Sequence, residues 1–527
     1  MVKTLNEIYM EYVDKIDKDY KALVFNDTEV TFFGFVKRVD ELARQLVRLG
    51  VREGTGVGYS LMNCADIMPL FFAISRLGAY AFPLFHAFPP SYKMTCYKNA
   101  EISLVITDTD LIEDMKKAGK EIGFEPDFAV LNESEQYETL WGDVSEPIDL
   151  GAYLVDIHKG DIPLMIGMSS GTTGIPKMVA MSQTNVGSEA IVMINFEKNN
   201  DKLTGIKDNC KMIAFPFSTS VVLTLFGTFF DHGTICLTDN MTPMNFLNMA
   251  QKCKASSFMS PPAFLESLLL LKEQHSFNLE NVKMLECGMD FFSPSLARRM
   301  SELLPNFHVY AGGYGLVETC NVYMYKNMDI PNDNIQDTAR YELSDMAENV
   351  IRVCDEHGNE VNEGEVGEIY VKGPNVVAGY METPTKLKEA FPDGWLRTGD
   401  IARKVSDRVV YLLGRKKYFI KRGGKSVSPI AVQAEINKTE GIKDSAVVGV
   451  PHPLFGEMIW AFVVKEEGSD AGVKEIKQTC KKNLPYYMLP DQITFIDDIP
   501  KKSGVGKVDF DTIRNMGAEE LRKITSN

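Results

Sequence analysis

Hydrophobic positions near the amino terminus of the chain recur with a helical period. Residues 35–49 carry them three or four positions apart among polar residues, and Gly50 follows as a candidate C-cap. Short apolar runs typical of buried strands come later, at 104–107, 164–168, 234–238 and 282–286. The stretches between these runs are long enough for helices. This alternation predicts an α/β fold with largely parallel sheets.

A tract rich in Lys, Arg and Gly interrupts the pattern at Gly414, where the sequence reads GRKKYFIKRGGKSVSP. Beyond it, the pattern predicts helices over 431–437 and 473–483 and strands over 445–450 and 459–464. The last part of the chain is therefore expected to form a small separate domain, with the tract as its linker.

Length and charge narrow the class of protein. The chain has 527 residues, more than one hydrophobic core usually organises, so at least two domains are expected. A formal net charge of -16 opposes non-specific contact with nucleic acid or an anionic membrane surface. The most apolar segment, 68–88, is interrupted by Arg76 and Pro83, which favours a buried core over a membrane span.

The cysteines and the first residues indicate a compartment. Nine cysteines occur without CxxC pairs or interleaved histidines, which argues against a disulfide framework or a zinc site and suits a reducing cytosol. The first residues include acidic side chains and lack the unbroken apolar run of a secretory signal. The expectation is a cytoplasmic protein.

A loop that combines hydroxyls, glycines and one cation follows the predicted strand at 164–168. Glycines let backbone N–H groups turn inward, while hydroxyls and a lysine offset phosphate charge, so the loop is a candidate phosphate site. It is not a Walker A loop, because Pro176-Lys177 replaces the required GK[ST]. The alternative is a plain surface turn. The candidate residues are Ser169, Ser170, Gly171, Thr172, Thr173, Gly174 and Lys177.

Further motifs follow this loop in a fixed order. They are YGLVE at 314–318, GEI at 367–369, WLRTGD at 395–400, GR at 414–415 and GK at 506–507. Together with the loop, this set resembles the adenylate-forming superfamily of acyl-CoA synthetases, luciferases and peptide-synthetase adenylation domains. The resemblance runs from about residue 22 to 507 and includes LPYYMLP at 484–490.

The resemblance implies two domains with ATP bound between them. Residues 1–413 would form the nucleotide- and acyl-binding domain, with parallel-rich sheets flanked by helices and a small β-barrel-like portion. Residues 414–417 would be a hinge, with Lys417 as the hinge residue. Residues 418–527 would form a small, mobile α+β domain.

The resemblance also assigns nucleotide and metal roles. Glu318, with Thr172, would hold Mg²⁺, since a hard cation prefers oxygen ligands. Asp400 would accept hydrogen bonds from the ribose hydroxyls, and Arg415 would contact the nucleotide. The alternatives are a surface glutamate, a tight Gly-Asp turn and an interdomain salt bridge. The remaining implied nucleotide contacts are Gly313, Tyr314 and Gly315.

Two lysines are implied for two half-reactions. Lys507 would bridge the substrate carboxylate and the α-phosphate, because the attack of one anion on another needs a neutralising cation. Lys421 would serve thioester formation, with Gly423 and Gly424 leaving room for a pantetheine arm after the small domain rotates. The alternatives are a solvated tail lysine and a basic solvated loop.

The acyl pocket is expected in the segment after Phe215-Pro216, with Phe217, Ser218 and Val222 as candidate lining residues. No carboxylate occurs in 217–227. Amino-acid-activating relatives place an aspartate where this chain has Ser218, and a buried ammonium without a partner is costly. An apolar acid, as in fatty acid metabolism, is therefore expected instead of an α-amino acid.

Some positions depart from the family pattern. Val317 stands where a threonine usually precedes the glutamate, and Gln183 where a histidine is common. Met178 and the run 289–291 also differ from the usual small residues. These differences keep open a protein that binds nucleotide or acyl ligand without catalysis.

The expected activity is an acid–thiol ligase of the AMP-forming acyl-CoA synthetase type. It would use ATP, Mg²⁺ and coenzyme A, with a small carboxylic acid as substrate and without nucleic acid or a membrane span. One alternative is an adenylation enzyme that loads the phosphopantetheine of an acyl- or peptidyl-carrier protein. Exchange of diphosphate into ATP would occur in both enzymes, whereas a binding protein would have none.

Overall fold

The computed structural model describes residues 2–17, 19–142, 148–169, 177–198, 209–217, 220–271, 276–288, 292, 294–320, 323–329, 339–343, 348–381, 391–501 and 508–526. The α-helices within these ranges are α1 Leu5–Val13, α2 Phe32–Arg48, α3 Ile67–Arg76, α4 Pro90–Asn99, α5 Thr109–Glu121, α6 Gln183–Lys198, α7 Phe226–Phe230, α8 Pro243–Lys252, α9 Pro262–Leu269, α10 Pro294–Leu303, α11 Pro429–Ile436, α12 Val473–Asn483 and α13 Phe510–Ser526.

The strands in the same ranges are β1 Lys21–Phe25, β2 Thr28–Thr31, β3 Gly56–Ser60, β4 Tyr80–Pro83, β5 Ile102–Thr107, β6 Asp127–Val130, β7 Glu138–Thr139, β8 Pro163–Ser169, β9 Lys177–Ser182, β10 Cys210–Ile213, β11 Thr234–Leu237, β12 Ser257–Ser260, β13 Met284–Cys287, β14 Val309–Tyr314, β15 Met324–Asp329, β16 Arg340–Leu343, β17 Val350–Cys354, β18 Val366–Lys372, β19 Gly379–Tyr380, β20 Leu396–Lys404, β21 Val409–Arg415, β22 Ile420–Arg422, β23 Lys425–Val427, β24 Ile442–His452, β25 Gly456–Lys465 and β26 Gln492–Phe495.

Helix α2 illustrates how the hydrophobic period becomes structure. The hydroxyl of Thr31 caps its first turn by accepting a hydrogen bond from Gly34 N–H. Phe35, Val39 and Leu42 lie on the buried stripe and join the largest hydrophobic core. The helix predicted over 35–49 is confirmed, and its start lies one turn earlier because the threonine cap precedes the apolar period.

The first sheet orders its strands β17-β18-β20-β21-β16-β15-β14-β13-β12-β10-β11-β1-β2. Neighbouring strands from β14 through β13, β12, β10 and β11 to β1 all pair in parallel. The strands predicted at 234–238 and 282–286 belong to this parallel part. The expectation of largely parallel sheets is confirmed here.

The portion expected to resemble a small β-barrel is an antiparallel continuation of the first sheet. Strand β16 pairs with β15 on one side and with β21 on the other, and β20, β18 and β17 follow outward in antiparallel order. Among the described strands this part does not close on itself. The outermost strand, β17, pairs with β18 alone among the described strands, so the ladder ends there instead of closing into a barrel.

The second sheet has the order β19-β9-β8-β4-β3-β5-β6-β7. Its strands from β8 to β7 pair in parallel, whereas β9 runs antiparallel to both β8 and β19. The antiparallel pair β8–β9 carries the two ends of the candidate phosphate loop.

The third sheet contains strands from the last part of the chain, β22 to β26. One face packs on α11 and α12 through residues such as Val432 and Ile476, and the other packs on α13 through Ile513 and Met516. A small α+β unit with its own core therefore follows the large sheets, as expected. The boundaries 1–413, 414–417 and 418–527 remain predictions.

No helix in the described ranges is both long enough and apolar enough to cross a bilayer.

Candidate active site

The two flanks of the candidate phosphate loop lie side by side. Ser169 ends β8 and Lys177 begins β9, and the two residues are direct partners in the antiparallel ladder. The predicted loop residues between them lie outside the described residues: Ser170, Gly171, Thr172, Thr173 and Gly174. The ladder therefore fixes where the loop leaves the sheet and where it returns.

Tyr380 connects Lys177 with Glu318. Strand β19 pairs with β9, with Tyr380 opposite Val179. The ammonium of Lys177 lies 5.0 Å from the centre of the Tyr380 ring, and the phenol donates a 2.8 Å hydrogen bond to Glu318 Oε1. Burial, with a further contribution from the Glu318 carboxylate, raises the pKa of Tyr380, so the phenol keeps its proton and acts as a donor.

Glu318 lies in a single 3₁₀ turn, Val317–Thr319, separated from the end of β14 by two residues. Its side chain is buried, with 9% of the residue exposed, and its backbone carbonyl accepts from Val377 N–H at 3.0 Å. The Thr319 hydroxyl accepts from Leu316 N–H at 2.9 Å and fixes the start of the turn. These two hydrogen bonds hold the turn that carries the Glu318 side chain.

Val317 makes an apolar contact at the position where the family pattern has threonine. A Cβ atom on Gly167 of β8 would lie 2.6 Å from Val317 Cγ1, so the valine packs directly on the backbone of that strand. The departure at Val317 therefore replaces a hydroxyl by close packing of the 3₁₀ turn on the second sheet.

Asp400 and Arg415 face each other across β20 and β21. Arg415 Nε lies 2.9 Å from Asp400 Oδ1, and its Nη1 donates to Thr398 O at 3.0 Å. The Tyr314 hydroxyl donates to Asp400 Oδ2 at 2.7 Å. Asp400 is 4% exposed; burial raises its pKa, and the neighbouring guanidinium opposes that rise. The predicted alternative for Arg415 is an interdomain salt bridge, whereas the salt bridge observed joins it to Asp400 on the neighbouring strand of the same sheet.

Tyr314 ends β14, beside the candidate residues Gly313 and Gly315. Its ring centre lies 5.8 Å from that of Tyr341, in a tilted arrangement. Across the ladder, Gly313 pairs with Tyr325 and Tyr314 pairs with Met324. An aromatic surface therefore lies next to the Asp400 carboxylate.

Glu368 ties the predicted hinge region to β20. Its Oε1 accepts from Gly399 N–H at 3.1 Å, and its Oε2 accepts from Lys416 Nζ at 2.8 Å. The adjacent candidate hinge residue, Lys417, places its ammonium 4.7 Å from the centre of the Tyr418 ring. The GEI motif by itself predicts no role for Glu368, because the partners of this glutamate become its neighbours only in the folded sheet.

The hairpin β22–β23 carries Lys421, Gly423 and Gly424. Lys421 is exposed, pairs with Ser426, and donates to its hydroxyl at 2.5 Å. Both glycines have positive φ, +55° and +78°, and no atom lies within 4 Å of a Cβ built on either. In the described part of the chain, no recorded contact joins Lys421 to Glu318 or Asp400. Lys507 lies outside the described residues.

The predicted acyl segment leads into the main core. Phe217 and Val222 are buried there, and Ser218 lies outside the described residues. Asn63 anchors the segment, because its Nδ2 donates to Phe215 O at 3.3 Å and its Oδ1 accepts from Phe217 N–H at 2.8 Å. Sequence reasoning missed Asn63, which is distant along the chain and belongs to no motif.

A buried ion pair lies on the sheet beside this segment. Lys211 Nζ of β10 is 2.6 Å from Glu286 Oε1 of β13, and the lysine side chain is fully buried. Met259 of β12 is the register partner of Glu286, and the Thr224 hydroxyl contacts its sulfur at 3.6 Å. The sequence offered no signal for this pair, since its two charges occur in separate apolar strands.

Gln183 belongs to helix packing. Its Nε2 donates to Ser75 Oγ at 2.8 Å, and Ser75 Oγ in turn donates to Asn6 Oδ1 at 2.8 Å. This buried network joins α6 to α3 and α1. Gln183, which departs from the family pattern, therefore makes polar contacts, and these contacts hold helices together.

The match to known families agrees with these elements. The sequence profile described as "AMP-binding enzyme" matches residues 12–381, and that described as "AMP-binding enzyme C-terminal domain" matches 431–507. The chain belongs to the AMP-binding enzyme family. This AMP-binding enzyme is a member of the adenylate-forming superfamily and is similar to acyl-CoA synthetases.

Relatives and solved structures cover nearly the whole length of the AMP-binding enzyme. It is 25% identical over 500 residues to a feruloyl-CoA synthase from Amycolatopsis sp, covering 92% of this chain and 94% of that one. It is 24% identical over 530 residues to the 2,3-dihydroxybenzoate-AMP ligase of Bacillus subtilis (strain 168), covering 97% and 92%. ATP-bound MatB from Rhodopseudomonas palustris has the same fold, with a TM-score of 0.79, 23% identity and coverage of 98% and 99%. The family and these relatives support a ligase that activates acids as adenylates.

Proposed function

We propose that this AMP-binding enzyme uses ATP to convert an apolar carboxylic acid into an acyl-adenylate and then transfers the acyl group to the thiol of coenzyme A. The observation that carries the proposal is the linkage of Lys177, Tyr380 and Glu318 at the edge of the candidate phosphate loop. It sets a cation against the ring of a phenol whose hydroxyl binds a carboxylate. These are the charges needed to hold a triphosphate together with a divalent cation.

Asp400, Arg415 and Tyr314 would hold the nucleoside of ATP. Each carboxylate oxygen has two lone pairs and so has room for a ribose hydroxyl beside the donors already present. The Arg415 guanidinium opposes the rise that burial causes in the pKa of Asp400, and the Tyr314 ring offers a face for adenine.

Mg²⁺ fits the chemistry of Glu318. This cation is usually held by one or two carboxylates together with phosphate oxygens and water, and no cluster of three potential ligands is needed or found among the described residues. The Tyr380 hydrogen bond aims the carboxylate through Oε1. When bound, Mg²⁺ would supply charge neutralisation at the phosphates, with Glu318 and Thr172 as its protein ligands.

Adenylation forms a bond between a carboxylate oxygen and the α-phosphorus of ATP, and breaks the bond from that phosphorus to the departing diphosphate. We propose that Lys507 neutralises the two anions where they meet, with Ser169 and Lys177 at the flanks of a loop that holds the phosphates. The residues Ser170, Gly171, Thr172, Thr173 and Gly174 would line that loop.

Thioester formation needs a different arrangement of the small domain. We propose that residues 414–417 act as the hinge, with Lys417 as its pivot, and that Lys421, Gly423 and Gly424 then face the thiol. The sulfur attacks the acyl carbon and AMP leaves with the bonding electrons. The open space around both glycines supports passage of a slender pantetheine arm.

The acid is proposed to be apolar because Phe217 and Val222 are buried in an aromatic-rich core. The named relatives act on ferulate and 2,3-dihydroxybenzoate, which makes aromatic acids the first to test.

The nine cysteines of the structure all carry free thiols, which supports a reducing cytoplasmic setting.

Acid-dependent exchange of labelled diphosphate into ATP tests the adenylation step. A panel of aromatic, fatty and amino acids would be offered with Mg²⁺, and we expect exchange with apolar acids. Product thioester is then measured with coenzyme A and with phosphopantetheinylated carrier proteins. If none of the acids supports exchange, the proposal is refuted. If the acyl group is transferred only to a carrier protein and not to coenzyme A, the carrier-loading alternative is favoured.

A further inference from the structure

Three cysteines lie close together on one face of the first sheet, at the neighbouring strands β10 and β11. Cys210 of β10 and Cys236 of β11 lie on the same face of two adjacent parallel strands, because Cys210 pairs with Thr234 and Met212 pairs with Cys236. Cys253 caps the carboxyl end of α8 and packs against the core that contains the other two. The Cys253 side chain is close enough to those of Cys210 and Cys236 for the three thiols to influence one another's pKa.

The segment after Cys253 is fastened to Cys210. Ser256 N–H donates to Cys210 O at 2.8 Å, and Cys210 N–H donates to Ser256 Oγ at 2.8 Å. The segment therefore stays beside β10, and the sulfur of Cys253 stays close to that of Cys210.

Exposure and charge single out Cys253. Of the nine cysteines, Cys64 and Cys253 are partly exposed and the other seven are buried. Hydrogen bonds from Cys210 and Cys236, with the positive charges of Lys252 and Lys21 nearby, lower the pKa of Cys253. Burial instead raises the pKa of Cys64 to about 12. The two partly exposed thiols therefore differ in thiolate content.

We propose that Cys253 is a redox modification site that reacts with hydroperoxides and forms a reversible disulfide with Cys210. The Cys253 thiolate attacks one peroxide oxygen, so that an S–O bond forms, the O–O bond breaks and an alcohol or water leaves. The Cys210 sulfur then attacks the Cys253 sulfur: an S–S bond forms, the S–O bond breaks, and the oxygen leaves as water with the proton of the Cys210 thiol. Two thiols lose two electrons and the hydroperoxide gains them.

The position of the pair gives it a route to the acyl site. Strand β10 continues into Ala214 and then into the segment that contains Phe217, and Ala214 N–H is bonded to Met259 O at 2.9 Å. A disulfide would join β10 covalently to the end of α8. This consequence rests on the proposed function, whereas the reaction at sulfur does not.

The test uses the full-length protein, reduced and then treated with stoichiometric hydrogen peroxide. We expect a mass loss of about 2 Da from disulfide formation, and a cross-linked peptide pair containing Cys210 and Cys253. Cys253→Ser should abolish the mass loss, and Cys210→Ser should leave a sulfenic acid on Cys253 that a dimedone-type probe labels. The matched control is Cys64→Ser, which should form the disulfide as the parent protein does.

Three results would overturn the inference: probe labelling of Cys64 as fast as that of Cys253, a cross-linked pair that omits Cys253, or oxidation of Cys253 without any disulfide. Circular dichroism checks that each variant is folded. If a variant does not fold, the cross-linked peptide from the oxidised parent protein still tests the proposal. Diphosphate exchange before and after oxidation then tests the route to the acyl site. If oxidation slows exchange and dithiothreitol restores the original rate, this route is supported. If exchange is unchanged in the oxidised protein, the route is rejected, while the proposed sulfur chemistry still stands.

Discussion

The phenol of Tyr380 donates a 2.8 Å hydrogen bond to Glu318 Oε1 while its ring faces the ammonium of Lys177 at 5.0 Å. One side chain thus aims a carboxylate and rests against a cation that begins the strand after the candidate phosphate loop. Because Tyr380 and Glu318 come from separate elements, β19 and the turn after β14, their contact depends on the docking of the two large sheets.

Tyr380→Phe is expected to weaken the use of Mg²⁺. A hydrogen bond to a charged group contributes about 1.5–3 kcal/mol, so we expect diphosphate exchange to fall by roughly 10- to 100-fold at limiting Mg²⁺. Excess Mg²⁺ should restore part of the rate, since the carboxylate remains. The control is Tyr323→Phe, because the Tyr323 hydroxyl in the parent protein donates to the backbone carbonyls of Val350 and Lys372. An equal Mg²⁺ response in both variants would exclude the aiming role.

Asp400→Asn is expected to weaken ATP binding and to change how stability depends on pH. Burial raises the pKa of Asp400 above its usual 3.8, so the folded state binds this proton more tightly than the unfolded state. The carboxyl contributes stability below that usual value, and the contribution is lost as pH rises through the folded pKa. The stability of Asp400→Asn relative to the parent should therefore increase as pH rises from about 4 toward 7.

Asp407→Asn is the control of opposite sign. The ion pair with Lys404 lowers the pKa of the exposed Asp407, so its contribution is present above the usual value and is lost as pH falls. Its variant should lose stability relative to the parent as pH rises. Denaturant unfolding at several pH values measures both differences, and parallel curves for the two variants would contradict the role of burial at Asp400.

The two candidate lysines should separate the half-reactions. Lys507→Ala is expected to impair adenylate formation while sparing thioester formation from supplied adenylate, and Lys421→Ala is expected to do the reverse. Lys438→Ala, which removes a lysine paired with Glu435 on α11, should affect neither. Single-turnover assays with ATP and with synthetic acyl-adenylate measure the two steps. Equal losses in both steps for both variants would count against this division.

The ion pair of Lys211 and Glu286 should be costly to break from one side. Removing one partner leaves a buried charge, so we expect Lys211→Met or Glu286→Leu alone to reduce the free energy of unfolding by about 3–5 kcal/mol. The double variant should lose much less than the sum of the two, because neither charge remains buried alone. Chemical denaturation measures all four proteins. Additive losses would mean that the two side chains do not act as a pair.

Sequence patterns identified the elements whose causes are local. Apolar period and caps give α2 and α12, and apolar runs give β5, β8 and β11, because each depends on the order of neighbouring residues. The motifs likewise identified Glu318, Asp400 and Arg415 as candidates. The family could also be recognised from the sequence, because each of its ordered motifs is a short continuous segment.

Tertiary structure decided which of these segments come into contact. Only pairing of β20 with β21 sets Arg415 against Asp400, and only docking of β19 on β9 brings Tyr380 to Glu318. The antiparallel strands expected to resemble a barrel extend the first sheet for the same reason, because hydrogen-bond partners are chosen between distant segments. By itself, then, the sequence determined the kind of chemistry and its candidate residues. The fold determined their partners, since contacts between distant segments depend on strand register and packing that no local pattern records.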